Sequence, residues 1–150
     1  RPGGGLCFGT DTAAANALSD YEEGVCTIKW KAAGNSAVAG GSTTKYTKVG
    51  RLVTVTGDMG GNLSSLTQNA NMELTGLPFT TSGVGTFPIF TRNFEATGSN
   101  TINTVGYFPS GAAYLQVWTM PNHGNYVLAK VQDFHSQTND LYFSLTYHTT

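Results

Sequence analysis

Charge is scarce in this sequence: Lys, Arg, Asp and Glu make up 11% of 150 residues, against about a quarter in an average globular domain. Eight basic and nine acidic side chains leave a net charge of -1, and the basic ones (Arg1, Lys29, Lys31, Lys45, Lys48, Arg51, Arg92, Lys130) are mostly spread out. Phosphate binding needs a concentrated positive field, so this distribution argues against nucleic acid and anionic membranes as partners. Cysteine is nearly absent. Cys7 and Cys26 are too few for a disulfide scaffold and lack the neighbours of a zinc motif, which leaves either a single bridge between them or two free thiols in a cytosolically made protein.

No apolar run approaches the roughly 20 residues of a membrane span, and nothing resembles a signal peptide, so a soluble chain without membrane insertion is expected. Because the chain starts at Arg1 rather than Met, it is expected to be the processed or excised end of a longer protein. The sequence also lacks a G-x-S-x-G elbow, an H-E-x-x-H pair, a P-loop and a G-x-G-x-x-G turn. It therefore suggests no catalytic residue, no metal and no cofactor.

What is present is polar but uncharged. Gly, Ser, Thr and Asn fill 62 of 150 positions, and this, with many Val and aromatic residues, favours strands and turns over helices. A chain of this length suits one domain, able to bury about 70% of its unfolded surface. Residues 1–24 differ from the rest, with "RPGGGLCFG" followed by "TDTAAANALSDYEEG", the one helix-friendly stretch. Thr10, Asp11 or Thr12 could cap a short helix over Ala13 to Leu18, so this part is expected to be a neck or linker.

Residues 25–150 alternate strand-like runs with Gly, Asn, Ser and Pro. Strands are expected over 25–30, 44–49, 51–59, 71–77, 85–94, 101–108, 112–120, 126–134 and 141–148. In the last, Leu141, Phe143, Leu145 and Tyr147 fall on one face and Tyr142, Ser144, Thr146 and His148 on the other. Gly50 sets a hairpin between two runs, while Gly76 and Pro78 end another so that Leu77 and Phe79 anchor a turn in the core. The pattern is all-β and predicts an antiparallel β-sandwich or jelly roll.

Acidic residues concentrate in "SDYEEGV", where Asp20, Glu22 and Glu23 are three of the nine. Glycan hydrolysis would need two carboxyl groups on opposite sides of a bond, whereas these sit on one local turn. Ser19 and Glu22 have capping-box spacing and Gly24 stops the turn at once, so the cluster is expected to be structural punctuation. In "VQDFH", Asp133 could orient His135 on a strand face, or the two could make a loop-edge hydrogen bond.

Flat rings stack on the apolar faces of sugars while amides and imidazoles bind their hydroxyls. On "AAYLQVWTM", Tyr114, Gln116, Trp118 and Met120 share one face, opposite Ala113, Leu115 and Val117. That face suits a ligand platform or a subunit interface. The next loop, "MPNHGNY", gathers Asn122, His123, Asn125 and Tyr126 around Gly124, as hydroxyl recognition or an ordinary polar turn would. A second polar loop carries Arg92, Asn93 and Glu95. The candidate ligand-binding residues are Trp118, Tyr114, Asn122, His123, Asn125, Tyr126 and Arg92.

In "ANALSDYEEGVCTIKW", "YTKVGRLVTVTG" and "LTGLPFT", in that order, the sequence resembles the C-terminal domains of bacteriophage tail fibres and tailspikes. The upstream "GLCFGTD" looks like the neck strand that often precedes such an entry, although "VCTI" departs from the family's T-W-T-P and residues 85–139 match nothing in it. The resemblance implies a homotrimeric β-sandwich on an upstream fibre shaft, made in the host cytoplasm and carried on the virion. Its expected partner is a bacterial surface polysaccharide or another receptor, bound without enzymatic action. Alternatives are a trimerisation or stabilising domain of a fibre or decoration protein, or part of a depolymerase tailspike.

Overall fold

The computed structural model describes residues 20–95, 101–121, 124–134 and 139–150. Within them the chain forms nine strands: β1 (Tyr21–Ala32), β2 (Val38–Val49), β3 (Leu52–Gly61), β4 (Met72–Thr75), β5 (Gly85–Arg92), β6 (Thr101–Phe108), β7 (Tyr114–Pro121), β8 (Val127–Leu128) and β9 (Asn139–His148). Among the described residues there is no α-helix, and the only helical turn is a 3-10 turn over Val131–Asp133. All strand pairings are antiparallel, in the order β4-β1-β2-β3-β9-β5-β6-β7, with β8 beside β7.

A further pairing joins the ends. Glu73, Leu74 and Thr75 of β4 lie opposite Gln116, Leu115 and Tyr114 of β7, so eight strands close into a barrel. The expectation of two packed sheets is corrected in this respect: hydrogen bonding runs unbroken round the wall. Short β4 makes the difference, because its other side pairs with Lys29 to Ala32 of β1.

Alternation builds the interior. On β9 Leu141, Phe143, Leu145 and Tyr147 are buried, as their spacing predicts, and Val53 and Val55 of β3 join them. Trp30 packs on Phe134 with ring centroids 5.1 Å apart, Phe94 on Phe134 at 4.8 Å, and Phe87 on Phe143 at 6.4 Å. Each such buried apolar side chain contributes roughly 1.5–3 kcal/mol relative to exposure.

The hairpin expected at Gly50 is present, with Val49 opposite Leu52. Leu77 is buried, and Phe79 packs edge-on to Tyr46 at 5.6 Å, so the turn after β4 is anchored as its sequence suggests. Gly76 there has φ +108°, and an added Cβ would collide with the carbonyl oxygen of Thr27 on β1. Only glycine meets both conditions.

Two expectations change. β1 begins at Tyr21, ahead of the expected Val25, and its first residues pair with Val49, Lys48, Thr47 and Tyr46 of β2. Glu22 and Glu23 thus lie in a strand and not in a capped turn. Gly24 is no stop: it is the seat of the Tyr46 ring, whose hydroxyl oxygen would lie 2.6 Å from an added Cβ. In the second case the run 126–134, expected to be one strand, keeps only β8. Asp133 accepts the backbone N–H of Lys130 at 2.8 Å, which folds the chain into the 3-10 turn. The expected helix before Ser19 lies outside the described residues.

Candidate functional site

Strands β5, β6 and β7 turn an unusually apolar face outward. On β7, Leu115, Val117 and Thr119 are buried, so Gln116, Trp118 and Met120 point away from the core. On β6, Gly106 and Phe108 face inward and leave Val105 and Tyr107 outside. Register then sets the neighbours: Val105 lies opposite Trp118, and Tyr107 lies opposite both Gln116 and Thr86.

A third wall comes from the return of the chain along β8. Leu128 pairs with Trp118 and Val127 with Thr119, which carries Tyr126 back over the face. Its ring centroid stands 5.1 Å from that of Trp118, with the ring planes at 71°. On the other side Tyr107 stands 6.1 Å from Trp118 at 78°. The half-buried indole thus lies between two steeply inclined tyrosines. Together with Thr86, Val105, Pro109, Gln116 and Met120 they enclose a cleft of about 620 Å³. That is within the roughly 300–1,000 Å³ of typical small-molecule sites.

Among the described residues the cleft has no charged lining residue. Its principal polar feature is fixed in place: the indole N–H of Trp118 donates to Oε1 of Gln116 at 3.2 Å. The carboxylate of Glu73, opposite Gln116 on β4, is paired with Lys31 at 3.4 Å. Rings, aliphatic surface and an oriented amide suit an uncharged ligand with one apolar side.

Of the residues expected from sequence, Trp118 and Tyr126 meet in this cleft, joined by Gln116 and Met120 from the same strand face. Tyr114 shares the outward face of β7 but sits opposite Thr75 of β4, away from the lining. Asn125 is exposed beside Tyr126 and is not part of the lining. Arg92 lies where β5 pairs with β9, bound to Asp140 at 2.8 Å. Asn122 and His123 lie outside the described residues. Thr86, Val105, Tyr107 and Pro109 were not expected. For Val105 and Tyr107 a signal exists in "TVGYF", where alternation around Gly106 puts two apolar residues on the outer face.

Other clusters offer less chemistry. At the start of β1, Tyr46 donates to Glu22, Tyr21 donates to Glu23, and Lys48 pairs with Asp20 while its ammonium lies 5.5 Å from the Phe79 ring centre. The hydrogen bonds that Tyr46 and Tyr21 donate to Glu22 and Glu23 raise their phenol pKa values above the ordinary one. These carboxylates are occupied in holding tyrosines. Asp133 is buried and caps its own turn, and its sequence partner His135 lies outside the described residues. Cys26 lies 2.9 Å from the Thr44 hydroxyl, and Cys7 is outside the described residues. No group of three potential metal ligands occurs among the described residues.

No protein-family model matches the chain, and no curated protein matches it by sequence.

Proposed function

We propose that the chain is a non-enzymatic receptor-binding module at the tip of a bacteriophage tail fibre, holding a host surface glycan in the Trp118 cleft. The observation that carries this reading is the uncharged cleft itself, with an indole between two tyrosines and an amide at its side. Such a surface fits the apolar face of a sugar ring and leaves its hydroxyls to polar neighbours. The "DYEEG", "YTKVGRLVTVTG" and "LTGLPFT" stretches supply the link to tail fibres. Among the described residues no carboxylate lines the cleft, which argues for holding a glycan over cutting it.

The module acts as a homotrimer at the end of a fibre shaft on the virion. Three weak sugar sites then combine, because once one is engaged the others bind at high effective concentration. A second reading, a trimerisation domain with no ligand of its own, draws on Phe90. This ring is 70% exposed beside the 46% exposed Tyr142, at a centroid distance of 6.0 Å, and would suit burial against another copy.

Mass measurement in solution, combined with adsorption of the fluorescently labelled chain to a panel of bacteria, tests the proposal. A trimer that stains a subset of strains is expected. A monomer that stains none would overturn it, and a trimer that stains none would favour the second reading.

A further inference from the structure

The chemistry of the cleft narrows the ligand further, granted the glycan reading above. We infer that the cleft selects an uncharged sugar carrying an acetamido group, whose carbonyl accepts a hydrogen bond from the Gln116 side-chain amide.

The orientation of Gln116 is decided by its neighbour. An indole N–H can only donate, so the end of the Gln116 amide lying 3.2 Å from Trp118 Nε1 must be its oxygen. The NH₂ end is left with two donors on a side chain that lines the cleft, and no other side-chain hydrogen bond engages Gln116 among the described residues. The cleft therefore presents a fixed donor that asks for an acceptor. A hydroxyl could fill that role, but a carbonyl does so without a competing proton.

The remaining lining says what should accompany the carbonyl. Val105, Met120 and Pro109 add aliphatic surface around the rings, suited to a methyl group. An acetamido substituent joins an acceptor carbonyl to a methyl, a combination absent from plain hexoses. Uronic and sialic acids are disfavoured, because the described lining residues hold no cation to compensate the desolvation of their carboxylates. A deacetylated amino sugar is disfavoured for the matching reason. It would bring an ammonium against the Gln116 NH₂ with no anion among the described lining residues.

Titration of the purified chain with four probe disaccharides tests this, following Trp118 by fluorescence and by indole N–H chemical shift. The probes are di-N-acetylchitobiose, its deacetylated form, cellobiose and a glucuronate-containing disaccharide. Di-N-acetylchitobiose is expected to bind at least about tenfold more tightly than cellobiose, the ratio that one modest hydrogen bond supplies. Gln116→Glu keeps an acceptor for the indole but removes the donor and adds a charge. It should lose at least about tenfold for the acetylated probe and gain affinity for the deacetylated, cationic one; Glu73 opposite it on β4 should lower the melting temperature somewhat, with the circular dichroism of the folded barrel kept.

Equal binding of cellobiose and di-N-acetylchitobiose would overturn the inference, as would acetylated binding indifferent to Gln116→Glu. An indole shift that depends on protein concentration without sugar would assign the cleft to a second copy and also overturn it. Bacterial staining separates the two levels. Staining lost in Trp118→Ala but unmoved by saturating acetylated sugar and by Gln116→Glu would sink this inference and leave the receptor-binding reading standing; acetylated sugar binding in a trimer that stains no bacterium would do the reverse.

Discussion

The phenolic hydroxyl of Tyr147, on the last strand, donates to the backbone carbonyl of Phe79 at 3.0 Å. Only 2% of Tyr147 is exposed, and this burial pushes its phenol up to about 12. Tyr147→Phe should cost about 1–3 kcal/mol, since it leaves that carbonyl short of a partner. The pH dependence has a definite sign. Between the ordinary phenol value near 10 and the folded value, the native state holds a proton that the unfolded chain has lost. Stability should therefore fall across roughly pH 10 to 12, by on the order of 2 kcal/mol, and be unaffected by this group below that range. Phenolate absorbance and urea midpoints against pH measure both effects. An alkaline limb identical in Tyr147→Phe would contradict the assignment.

Gly76 and Gly50 both have positive φ, +108° and +59°, but only Gly76 is crowded. Gly50→Ala meets nothing within 4 Å and should cost only the conformational strain, about 1–2 kcal/mol. Gly76→Ala adds a clash with the Thr27 carbonyl and should cost about 2–5 kcal/mol in all. Urea denaturation of the two variants side by side checks the ranking, and equal losses would contradict it.

The two tryptophans should behave oppositely. Trp30 is wholly buried against Phe134, so Trp30→Ala should cost about 3–5 kcal/mol. Trp118 lies on the outer wall, and Trp118→Ala should leave a folded barrel, destabilised by under about 2 kcal/mol, that no longer stains bacteria. Acrylamide should quench Trp118 fluorescence in Trp30→Phe and barely touch Trp30 in Trp118→Phe.

Arg92 serves as a control. Its side chain is 64% exposed and pairs with Asp140 away from the cleft, so Arg92→Ala should change stability by less than about 1 kcal/mol. Bacterial staining should be unchanged. A loss of staining would move the receptor contact to the junction of β5 and β9.

What could be seen in advance followed a local rule. The inward set Leu141, Phe143, Leu145 and Tyr147, and the outward set with Trp118, obey a period of two within one strand. The same rule applied to "TVGYF" would have added Tyr107 to the site. Pairings between distant stretches have no such local trace. Nothing near Glu73 indicates that it faces Gln116, yet that contact completes the barrel. Gly24 misled for a similar reason, because the ring that requires a glycine there belongs to Tyr46 of the next strand. In the run 126–134 a local side-chain bond won, with Asp133 capping the Lys130 amide and bending an apolar stretch that alternation alone would extend.

Closure of the wall through β4 and β7 also governs how one molecule meets the next. Apart from β8, every strand has a neighbour on each side over part of its length, but among the described residues 21–28 of β1 pair with β2 alone. Where the wall is closed its backbone is already paired, so a contact made there with another copy falls to side chains. Single substitutions can strengthen or remove such a contact while the barrel stays intact.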